Sequence, residues 1–259
     1  MSHDLLESVL ADGRRTGSCV LSLFGGPVVS IRDGRQIAVP EGSTRLLVFV
    51  ALHRGRVERK YAAGSLWPIG DDERAAGNLR SALWRLNRAN IDMLVADKRS
   101  LTLRRGVVVD VQLVCEWASR LLNGRATQDD LGVLPSGIDA LELLPGWYDD
   151  WALMERERVR QLLLHALEAL SREHLRIGRY AQAVEAAMIA VTADPLRESA
   201  QRMLVAAHLA EGNRAEARRA FETYADLVRR ELDVAPGPEI VRLMRRPPVD
   251  PELGYALIS

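Results

Sequence analysis

The spacing of apolar residues changes several times along the chain, and each change predicts a different kind of element. Short apolar runs at residues 20–24, 28–31 and 36–39 are separated by glycine-rich stretches, a pattern that is typical of strands. Asp33 and Gly34 stand between the last two runs, where a tight hairpin turn favours glycine. The pattern predicts a small antiparallel sheet near the N-terminus.

Three helical segments follow this sheet. The first is amphipathic and covers residues 45–53, the second covers residues 61–67, and the third covers residues 74–87. Two further strands are predicted at residues 93–96 and 101–104. A sheet, three helices and a terminal hairpin with a basic tip form the outline of a winged helix-turn-helix.

From residue 111 onward the pattern is helical and contains an internal repeat. Gly178 and Ala183 recur 34 residues later as Gly212 and Ala217, and this spacing is the period of tetratricopeptide repeats. Stacked helical pairs of this kind bury a continuous core. The predicted fold is therefore mainly α, with an N-terminal winged helix-turn-helix (α+β) followed by an all-α tetratricopeptide-like helical repeat domain.

These patterns divide the chain into four parts. The predicted parts are a flexible leader at residues 1–17, a winged helix-turn-helix DNA-binding domain at 18–110, a helical repeat domain at 111–246, and a C-terminal tail at 247–259. Each boundary falls where the apolar pattern changes.

Charge is distributed unevenly between the two domains. The 259 residues include 35 Lys or Arg and 35 Asp or Glu, so the formal net charge is zero. Residues 1–110 carry 17 basic and 12 acidic side chains, a net of +5, whereas residues 111–259 carry 18 and 23, a net of −5. Because nucleic-acid binding depends on a local basic surface, the neutral total does not exclude it.

The third helix separates apolar from basic residues. At about 100° per residue, Leu79, Leu83 and Leu86 form one narrow stripe. The opposite face carries Arg80, Ser81, Trp84, Arg85 and Arg88. Such a face suits a major groove, because the planar fork of arginine bonds to guanine O6 and N7. The alternative is an ordinary solvated helix with a charged outer face.

Individual roles follow from position on this surface. We expect Arg80, Trp84 and Arg85 to contact base edges and Arg88 to contact a phosphate near the helix end. A packing role for Trp84 is an equal alternative, since aromatic residues at helical spacing often belong to a core.

Basic residues also lie on either side of the third helix. Lys98 and Arg99 occupy the predicted tip of the wing, where they would contact a minor groove or the backbone. Arg59 and Lys60 precede the predicted second helix and are candidates for phosphate contacts there.

The sequence contains no recognisable catalytic or metal-binding motif. Cys19 and Cys115 stand far apart, and neither belongs to a CxxC pair. His174 and His208 hold the same position in successive repeats, which favours a shared packing role. Walker, GxSxG and HExxH motifs are absent from the sequence. We therefore predict no enzymatic activity, no cofactor and no metal.

The sequence also lacks the signals of membrane or secreted proteins. It contains no run of about 18 apolar residues, and its first residues are not those of a signal peptide. Two isolated cysteines fit reduced thiols. A cytoplasmic protein without a membrane partner is therefore expected.

Several short motifs occur in order along the chain. They lie at residues 23–27, 33–35, 63–68 and 78–88 in the first part, and at residues 143–151, 155–160, 194–198, 209–213 and 230–238 in the second part. Through these motifs the chain resembles, over about residues 19–245, the Streptomyces antibiotic regulatory protein (SARP) family, whose members join an OmpR-type winged helix to a bacterial transcriptional activator domain.

The resemblance implies a transcriptional activator that binds direct repeats near promoters. Its implied partners are double-stranded DNA and the RNA polymerase holoenzyme, with self-association on DNA. In the family, the loop between the second and third helices can contact polymerase, which makes Trp67, Asp71, Asp72 and Glu73 the candidates here. Trp84 and Asn87 depart from the family pattern, which bears on base preference and not on docking.

Two other interpretations of the sequence remain open. The chain could be a helical-repeat protein-interaction scaffold without specific DNA binding, in which case the basic face of the third helix would have no purpose. Ligand control through Trp147, Tyr148 and Trp151 is a further hypothesis, with packing of these aromatic residues as its alternative.

Overall fold

The computed structural model describes residues 3–8, 19–31, 35–135 and 141–245. The predicted turn at Asp33 and Gly34, the tail at 247–259 and most of the predicted leader lie outside the described residues. Strand β1 (His3–Asp4) is followed by a helical turn at residues 5–8, in which Leu5 is fully buried. This part of the predicted flexible leader is therefore packed, because its apolar side chain is removed from water.

A four-stranded sheet forms the N-terminal layer. Strands β2 (Cys19–Ser22), β3 (Val28–Ser30) and β4 (Gln36–Ile37) pair antiparallel in sequence order, as the pattern predicts. A fourth strand, β8 (Val107–Val109), pairs in parallel with β2. The sequence pattern did not predict β8, because its partner strand lies at the other end of the domain sequence.

Three helices follow the first strands. They are α1 (Thr44–Leu52), α2 (Arg59–Leu66) and α3 (Asp72–Arg88). Residues 46–51 of α1 are all buried, so the prediction of an amphipathic first helix is wrong. A second apolar surface covers α1, since the Trp151 ring packs edge-on against Phe49 with centroids 5.3 Å apart.

The wing is a three-stranded sheet. Strand β7 (Ser100–Leu103) lies between β5 (Val57–Glu58) and β6 (Leu94–Ala96), and both pairings are antiparallel. The hairpin of β6 and β7 matches the predicted wing, with Leu94 opposite Leu103 and the tip at residues 97–99.

The chain divides into two compact units, and the first is discontinuous in sequence. It contains Asp4–Glu116 and Ala140–Glu157, and the second unit contains most of the remaining chain. This division differs from the predicted single boundary after residue 110. Backbone contacts explain the difference: Gly25 N donates to Glu142 O at 3.0 Å, and Leu144 N donates to Leu23 O at 3.1 Å.

Helices dominate the rest of the chain. Their bounds are α4 (Asp110–Leu122), α5 (Gln128–Leu131), α6 (Asp150–Arg176), α7 (Tyr180–Ala193), α8 (Glu198–Ala210), α9 (Arg214–Leu232) and α10 (Pro238–Arg245), with a short strand β9 (Val133–Leu134) between α5 and α6. In the second unit, α8, α9 and α10 share a buried core that includes Val205, Tyr224 and Ile240.

The 34-residue repeat is reproduced in the backbone. Gly178 and Gly212 both adopt positive φ, 74° and 85°, which glycine tolerates without a Cβ penalty. The residues that follow, Arg179 and Asn213, have nearly identical dihedrals of φ −90°, ψ 68° and φ −89°, ψ 68°. Each turn therefore joins two helices in the same way, as the repeat pattern predicts.

Partly buried polar contacts connect the helices of the second unit. Glu168 accepts hydrogen bonds from Arg197 Nε at 2.7 Å and from Ser199 Oγ at 2.6 Å. Glu198 accepts from Gly237 N at 2.6 Å and from the Tyr224 hydroxyl at 3.1 Å. Burial and the neighbouring Glu198 carboxylate raise the pKa of Tyr224 to about 12.

Candidate nucleic-acid interface

Helix α3 begins and ends with clear local signals. The Asp71 side chain accepts a hydrogen bond from Arg74 N at 2.8 Å and caps the N-terminus. Asp72 and Glu73 occupy the first turn, where negative charge stabilises the helix dipole. The chain leaves the helix at Asn90, which adopts a positive φ of 55°.

The two faces of α3 have the predicted polarity. Leu79, Ala82 and Leu86 are buried, and Leu83 is half-buried. The opposite face exposes Arg80, Ser81, Trp84 and Arg88. A depression of about 370 Å³ on this face is lined by Arg80, Ser81, Trp84 and Arg85. The helix thus presents a cationic surface with one large aromatic side chain.

Trp84 lies on this surface and not in the core. Its side chain is 59% exposed, and the Arg88 guanidinium carbon lies over the indole ring, 5.2 Å from its centroid. This distance is within the range of a cation–π interaction. The contact turns Arg88 back towards the middle of the exposed face, one helical turn before its own position.

Arg85 has a different environment from its neighbours. It is half-buried, and its Nε donates to Ser43 Oγ at 3.3 Å. The buried Ser43 hydroxyl in turn donates to the Ala82 carbonyl of α3 at 3.1 Å. A Cβ at Gly42 would lie 3.3 Å from Arg85 Nη2, so the guanidinium rests on the backbone before α1. The side chain that we expected to contact bases is thus partly engaged inside the protein.

Helix α2 starts earlier than the pattern predicts, at Arg59, so Arg59 and Lys60 belong to its first turn and do not precede it. Arg59 N donates to Arg99 O at 2.9 Å, and Arg59 Nη1 donates to Asp97 O at 3.3 Å. These bonds connect the start of α2 to the tip of the wing. Lys60 is exposed.

Asp97 organises the tip of the wing. Its Oδ1 accepts from Arg99 N and Ser100 N, both at 2.7 Å, and its Oδ2 accepts from Ser100 Oγ at 2.8 Å and Arg56 Nη2 at 2.5 Å. The backbone bond from Arg99 and the bonds from Ser100 lower the pKa of Asp97 to about 2. The turn therefore holds Lys98 and Arg99 at an exposed tip.

The loop before α3 is shorter than predicted. Because α3 begins at Asp72, the expected loop at residues 67–73 extends only to Asp71. Trp67 is half-buried, whereas Asp71, Asp72 and Glu73 are exposed. Ile69 is 88% exposed at the outer part of the loop. The four candidates for a polymerase contact thus divide into one half-buried aromatic side chain and three exposed carboxylates.

Cations without carboxylate partners gather on the helix and wing surfaces. Within the described ranges, no ion pair or hydrogen bond engages the exposed side chains of Lys60, Arg80, Lys98 and Arg99, and Arg88 contacts only the Trp84 ring. Unpaired exposed guanidinium and ammonium groups are available to bind phosphates and base edges.

Two residues that position side chains of the candidate interface were not identified from the sequence. Ser43 holds Arg85 and α3, and Asp97 shapes the wing tip. An Asp three residues before a Ser in a predicted hairpin is typical of a side-chain-capped turn, so a signal for Asp97 existed. Ser43 carried no such signal, because its partners lie on a distant helix.

The aromatic residues at 147–151 do not form one cluster. The Trp147 and Trp151 rings pack edge-on with centroids 5.9 Å apart, and Trp151 also contacts Phe49. Tyr148 is 81% exposed. Two of the three side chains thus have a packing role, and ligand control through them remains an untested hypothesis.

The repeated histidines occupy packed positions. His174 is fully buried, and burial together with Arg179 lowers its pKa. The equivalent His208 lies mostly out of solvent, with Nδ1 3.8 Å from Glu211 Oε2. Both environments agree with the packing role inferred from the repeat. In the described part of the chain, no three metal-binding side chains are grouped around a common point.

Comparisons with known proteins identify the second domain and the overall fold. Residues 131–246 match the family described as the bacterial transcriptional activator domain. Regulatory protein AfsR of Streptomyces griseus is 27% identical over 238 residues, covering 85% of this chain and 24% of that protein. The chain therefore spans about a quarter of the length of this relative.

A solved structure extends the likeness to the fold. The structure of Mycobacterium tuberculosis EmbR in complex with a low-affinity phosphopeptide has a TM-score of 0.67 and 17% identity, and the match covers 91% of this chain and 67% of that chain. The domain match and the AfsR match agree with the resemblance to the SARP family that the sequence motifs indicate. The predicted fold class is confirmed.

AfsR is a regulatory protein by name, and the matched domain is described as a transcriptional activator domain; both agree with the class that the sequence predicts. The domain match begins at residue 131, and it includes the segment up to Glu157 that packs in the first compact unit. Along the described ranges of this chain, no helix combines the length and apolar character that crossing a membrane requires.

Proposed function

We propose that the protein is a sequence-specific DNA-binding transcriptional activator that binds direct repeats near promoters and recruits RNA polymerase. The observation that carries the proposal is the set of exposed, unpaired cations on α3 and on the wing tip, defined above. In a winged helix-turn-helix these two elements face the major groove and the adjacent backbone. The proposal places the protein with chromosomal DNA in the cytoplasm.

Two features support DNA over a protein partner for this surface. The cations are not neutralised by carboxylates of their own helix, and each therefore retains its charge for an external anion. Arginine also offers a planar donor pair that matches guanine in the major groove. A scaffold that bound only peptides through its helical repeats would gain nothing from this arrangement.

A binding experiment tests the first part of the proposal. The full chain is mixed with fragmented genomic DNA in a gel-shift assay, and the retained fragments are titrated over a range of salt concentrations. We expect specific fragments to be retained, with log affinity falling linearly with log salt at a slope of about −0.9 per neutralised phosphate. Retention of no specific fragment would instead favour the protein-interaction scaffold.

Binding of direct repeats has its own readout. A duplex with two copies of the retained motif should give two successive shifted bands, the second from a second copy of the chain. A duplex with one copy deleted should give one band. If the second band requires no second motif, the direct-repeat part of the proposal is wrong.

Recruitment of polymerase rests on the loop before α3. We propose that Asp72 and Glu73 contact a basic surface of the polymerase holoenzyme, with Trp67 and Asp71 supporting the loop. Asp71 caps α3, so it is left unchanged in the test. We expect Asp72→Ala with Glu73→Ala to reduce transcription in a purified system while DNA affinity is unchanged.

The control for this variant is Glu222→Ala, which removes an exposed carboxylate from α9. It should leave transcription at the level of the unaltered protein. Equal transcription by the loop variant and the control, with DNA fully bound, would exclude these two carboxylates as the polymerase contact.

A further inference from the structure

The three arginines on the basic face of α3 have different surroundings. Arg85 is held by Ser43 beside the start of α1. Arg80 lies back along its own helix, with Nη2 3.7 Å from the position that a Cβ would take at Gly77. Arg88 is stacked on Trp84. Only the last of these is both exposed and oriented by an exposed aromatic ring.

We propose that Trp84 and Arg88 form one specificity-determining unit that recognises a thymine next to a guanine in the major groove. This inference rests on the proposed DNA-binding function and deepens it. Arg88 would donate two hydrogen bonds to guanine O6 and N7, and the indole of Trp84 would pack on the C5-methyl group of the neighbouring thymine. Arg88 thereby moves from the phosphate role expected from its position to a base-reading role.

The distances fit neighbouring bases. The Arg88 guanidinium and the Trp84 ring centre are 5.2 Å apart, and successive base pairs rise by about 3.4 Å per step. Two side chains this close therefore reach adjacent base pairs. Guanine O6 and N7 and the thymine methyl group are all exposed in the major groove.

The chemistry of each side chain also fits. An exposed indole in water is unfavourable, and packing on a methyl group removes apolar surface from solvent. The ring simultaneously restricts the Arg88 fork before DNA binds, so less side-chain freedom is lost on binding. Because no carboxylate in the described ranges pairs with Arg88, its donors are free for an acceptor on a base.

The proposed sequence preference comes from Trp84 and Arg88 and not from α3 as a whole. Arg85 and Arg80 carry the same charge as Arg88, yet neither stacks on an aromatic ring. Loss of Arg88 should therefore change which sequences are bound, whereas loss of an ordinary phosphate contact should weaken all sequences equally.

The experiment uses the full chain and a random-sequence duplex library. Bound duplexes are selected and sequenced for the unaltered protein and for Trp84→Ala, Trp84→Phe, Arg88→Ala and Arg88→Lys. Arg218→Ala on α9 is the matched control, since it removes an exposed helical arginine far along the sequence. We expect the unaltered protein and the control to select a motif that contains a thymine–guanine step.

The variants should differ in a defined way. Arg88→Ala and Arg88→Lys should both lose the guanine preference, with affinity for the selected duplex falling about 10- to 100-fold for Arg88→Ala. Lysine keeps the charge but lacks the planar fork. Trp84→Ala should lose the thymine preference, and Trp84→Phe should retain part of it.

Modified bases locate the contacts. Replacing the guanine by 7-deazaguanine removes the N7 acceptor and should weaken the unaltered protein but not Arg88→Ala. Replacing the thymine by uracil removes the methyl group and should weaken the unaltered protein but not Trp84→Ala. Selection of the same motif by all variants, or equal sensitivity of all variants to both modified bases, overturns the proposal.

The two levels of proposal fail in different ways. If the unaltered protein selects no sequence, the DNA-binding function itself is wrong. If it selects a motif that the four variants also select, DNA binding stands and the Trp84–Arg88 unit is excluded. Circular dichroism spectra of the variants, recorded in parallel, show that any loss of selection occurs in folded protein.

Discussion

Helices α3 and α9 are both long and rich in arginine, yet their arginines meet different surroundings. On α9, Arg218 pairs with Glu222 at 2.8 Å and Arg219 pairs with Glu216 at 2.8 Å. On α3, no carboxylate in the described ranges pairs with Arg80 or Arg88. The same residue type therefore stabilises a solvated helix in one case and offers an unpaired donor in the other.

Buried carboxylates also differ in whether they have a cationic partner, as Asp110 of the first unit and Glu168 of the second unit show. Asp110 accepts from Leu23 N at 2.8 Å, from Phe24 N at 3.1 Å and from Val111 N at 2.6 Å, without a cationic partner in the described ranges. Burial raises its pKa to about 6 despite these bonds. In the second unit, burial also acts on Glu168, but bonds from Arg197 and Ser199 lower its pKa overall.

The comparison teaches that composition is a poor guide to the role of a charge. Both units contain arginines that pair with carboxylates. The difference lies between the two helices: Arg218 and Arg219 of α9 are paired, whereas Arg80 and Arg88 of α3 have no carboxylate partner in the described ranges. An unpaired charge on a surface is a binding group, whereas an unpaired charge in a core is a stability cost.

The largest expected effect concerns the buried carboxylate without a cation. Because the pKa of Asp110 is higher in the folded chain than in the unfolded one, the folded state binds this proton more tightly. The stabilising contribution is complete below about pH 4 and is lost as the pH rises through about 6, a change of up to about 3 kcal/mol. Urea unfolding between pH 4 and 7 measures it.

Asp110→Asn provides the comparison for that experiment, since it cannot titrate. The difference in unfolding free energy between the unaltered chain and this variant should fall with rising pH. A difference that is flat or rises with pH would show that the carboxylate is charged throughout. Carboxyl carbon NMR of the unaltered protein gives the same pKa without a substitution.

The second effect concerns the buried ion pair of the repeat unit. Arg197→Ala leaves the largely buried Glu168 carboxylate without its arginine partner, and we expect a loss of about 2–3 kcal/mol in the free energy of unfolding. DNA affinity measured on the folded variant should not change. Arg218→Ala is the matched control, because its ion pair is exposed.

The third prediction concerns a substitution that gives α3 a carboxylate beside its arginines, as α9 has. Ser81→Glu places a carboxylate among the unpaired arginines of the exposed face, and we expect DNA affinity to fall at least about tenfold through repulsion of phosphates and neutralisation of the arginines. Thr223→Glu adds the same charge to an exposed position of α9 and should have no effect. Fluorescence anisotropy with a labelled duplex measures the DNA affinity of both variants. Equal losses of affinity in the two variants would contradict the distinction between α3 and α9.

The smallest effect is expected at the exposed ion pairs themselves. Arg218→Ala removes a pair whose side chains are 75% and 59% exposed, and solvent screens such pairs strongly. Neither the melting temperature nor DNA affinity should change measurably. A clear loss of affinity would mean that α9 also contacts DNA, and the contrast between the helices would then be wrong.

Much of the fold could be predicted because its signals are local. The stripe of Leu79, Leu83 and Leu86, the strand pairs of the wing, and the 34-residue spacing of Gly178 and Gly212 all depend on periodicity. Contacts between segments that are distant in sequence could not be predicted in this way. The parallel strand β8, the burial of α1 on all sides and the return of residues 140–157 to the first unit depend on partners far away in sequence.

The candidate site shows the same limit at the level of single residues. The sequence placed Arg80, Trp84, Arg85 and Arg88 on one exposed face, and the structure places three of them there. It holds Arg85 against Ser43 and turns Arg88 onto Trp84. The periodicity of a helix determines which way a side chain leaves the backbone, but not which neighbour its end will contact.

By itself, the amino-acid sequence determined the resemblance to a family of regulators, the mainly α class and the basic character of the third helix. These properties depend on ordered motifs, apolar spacing and residue type, which are fixed along the chain. Only the tertiary structure decided which charges are paired and which are free. Pairing depends on distances of a few ångströms between side chains, such as Arg85 and Ser43, whose positions in the sequence are far apart.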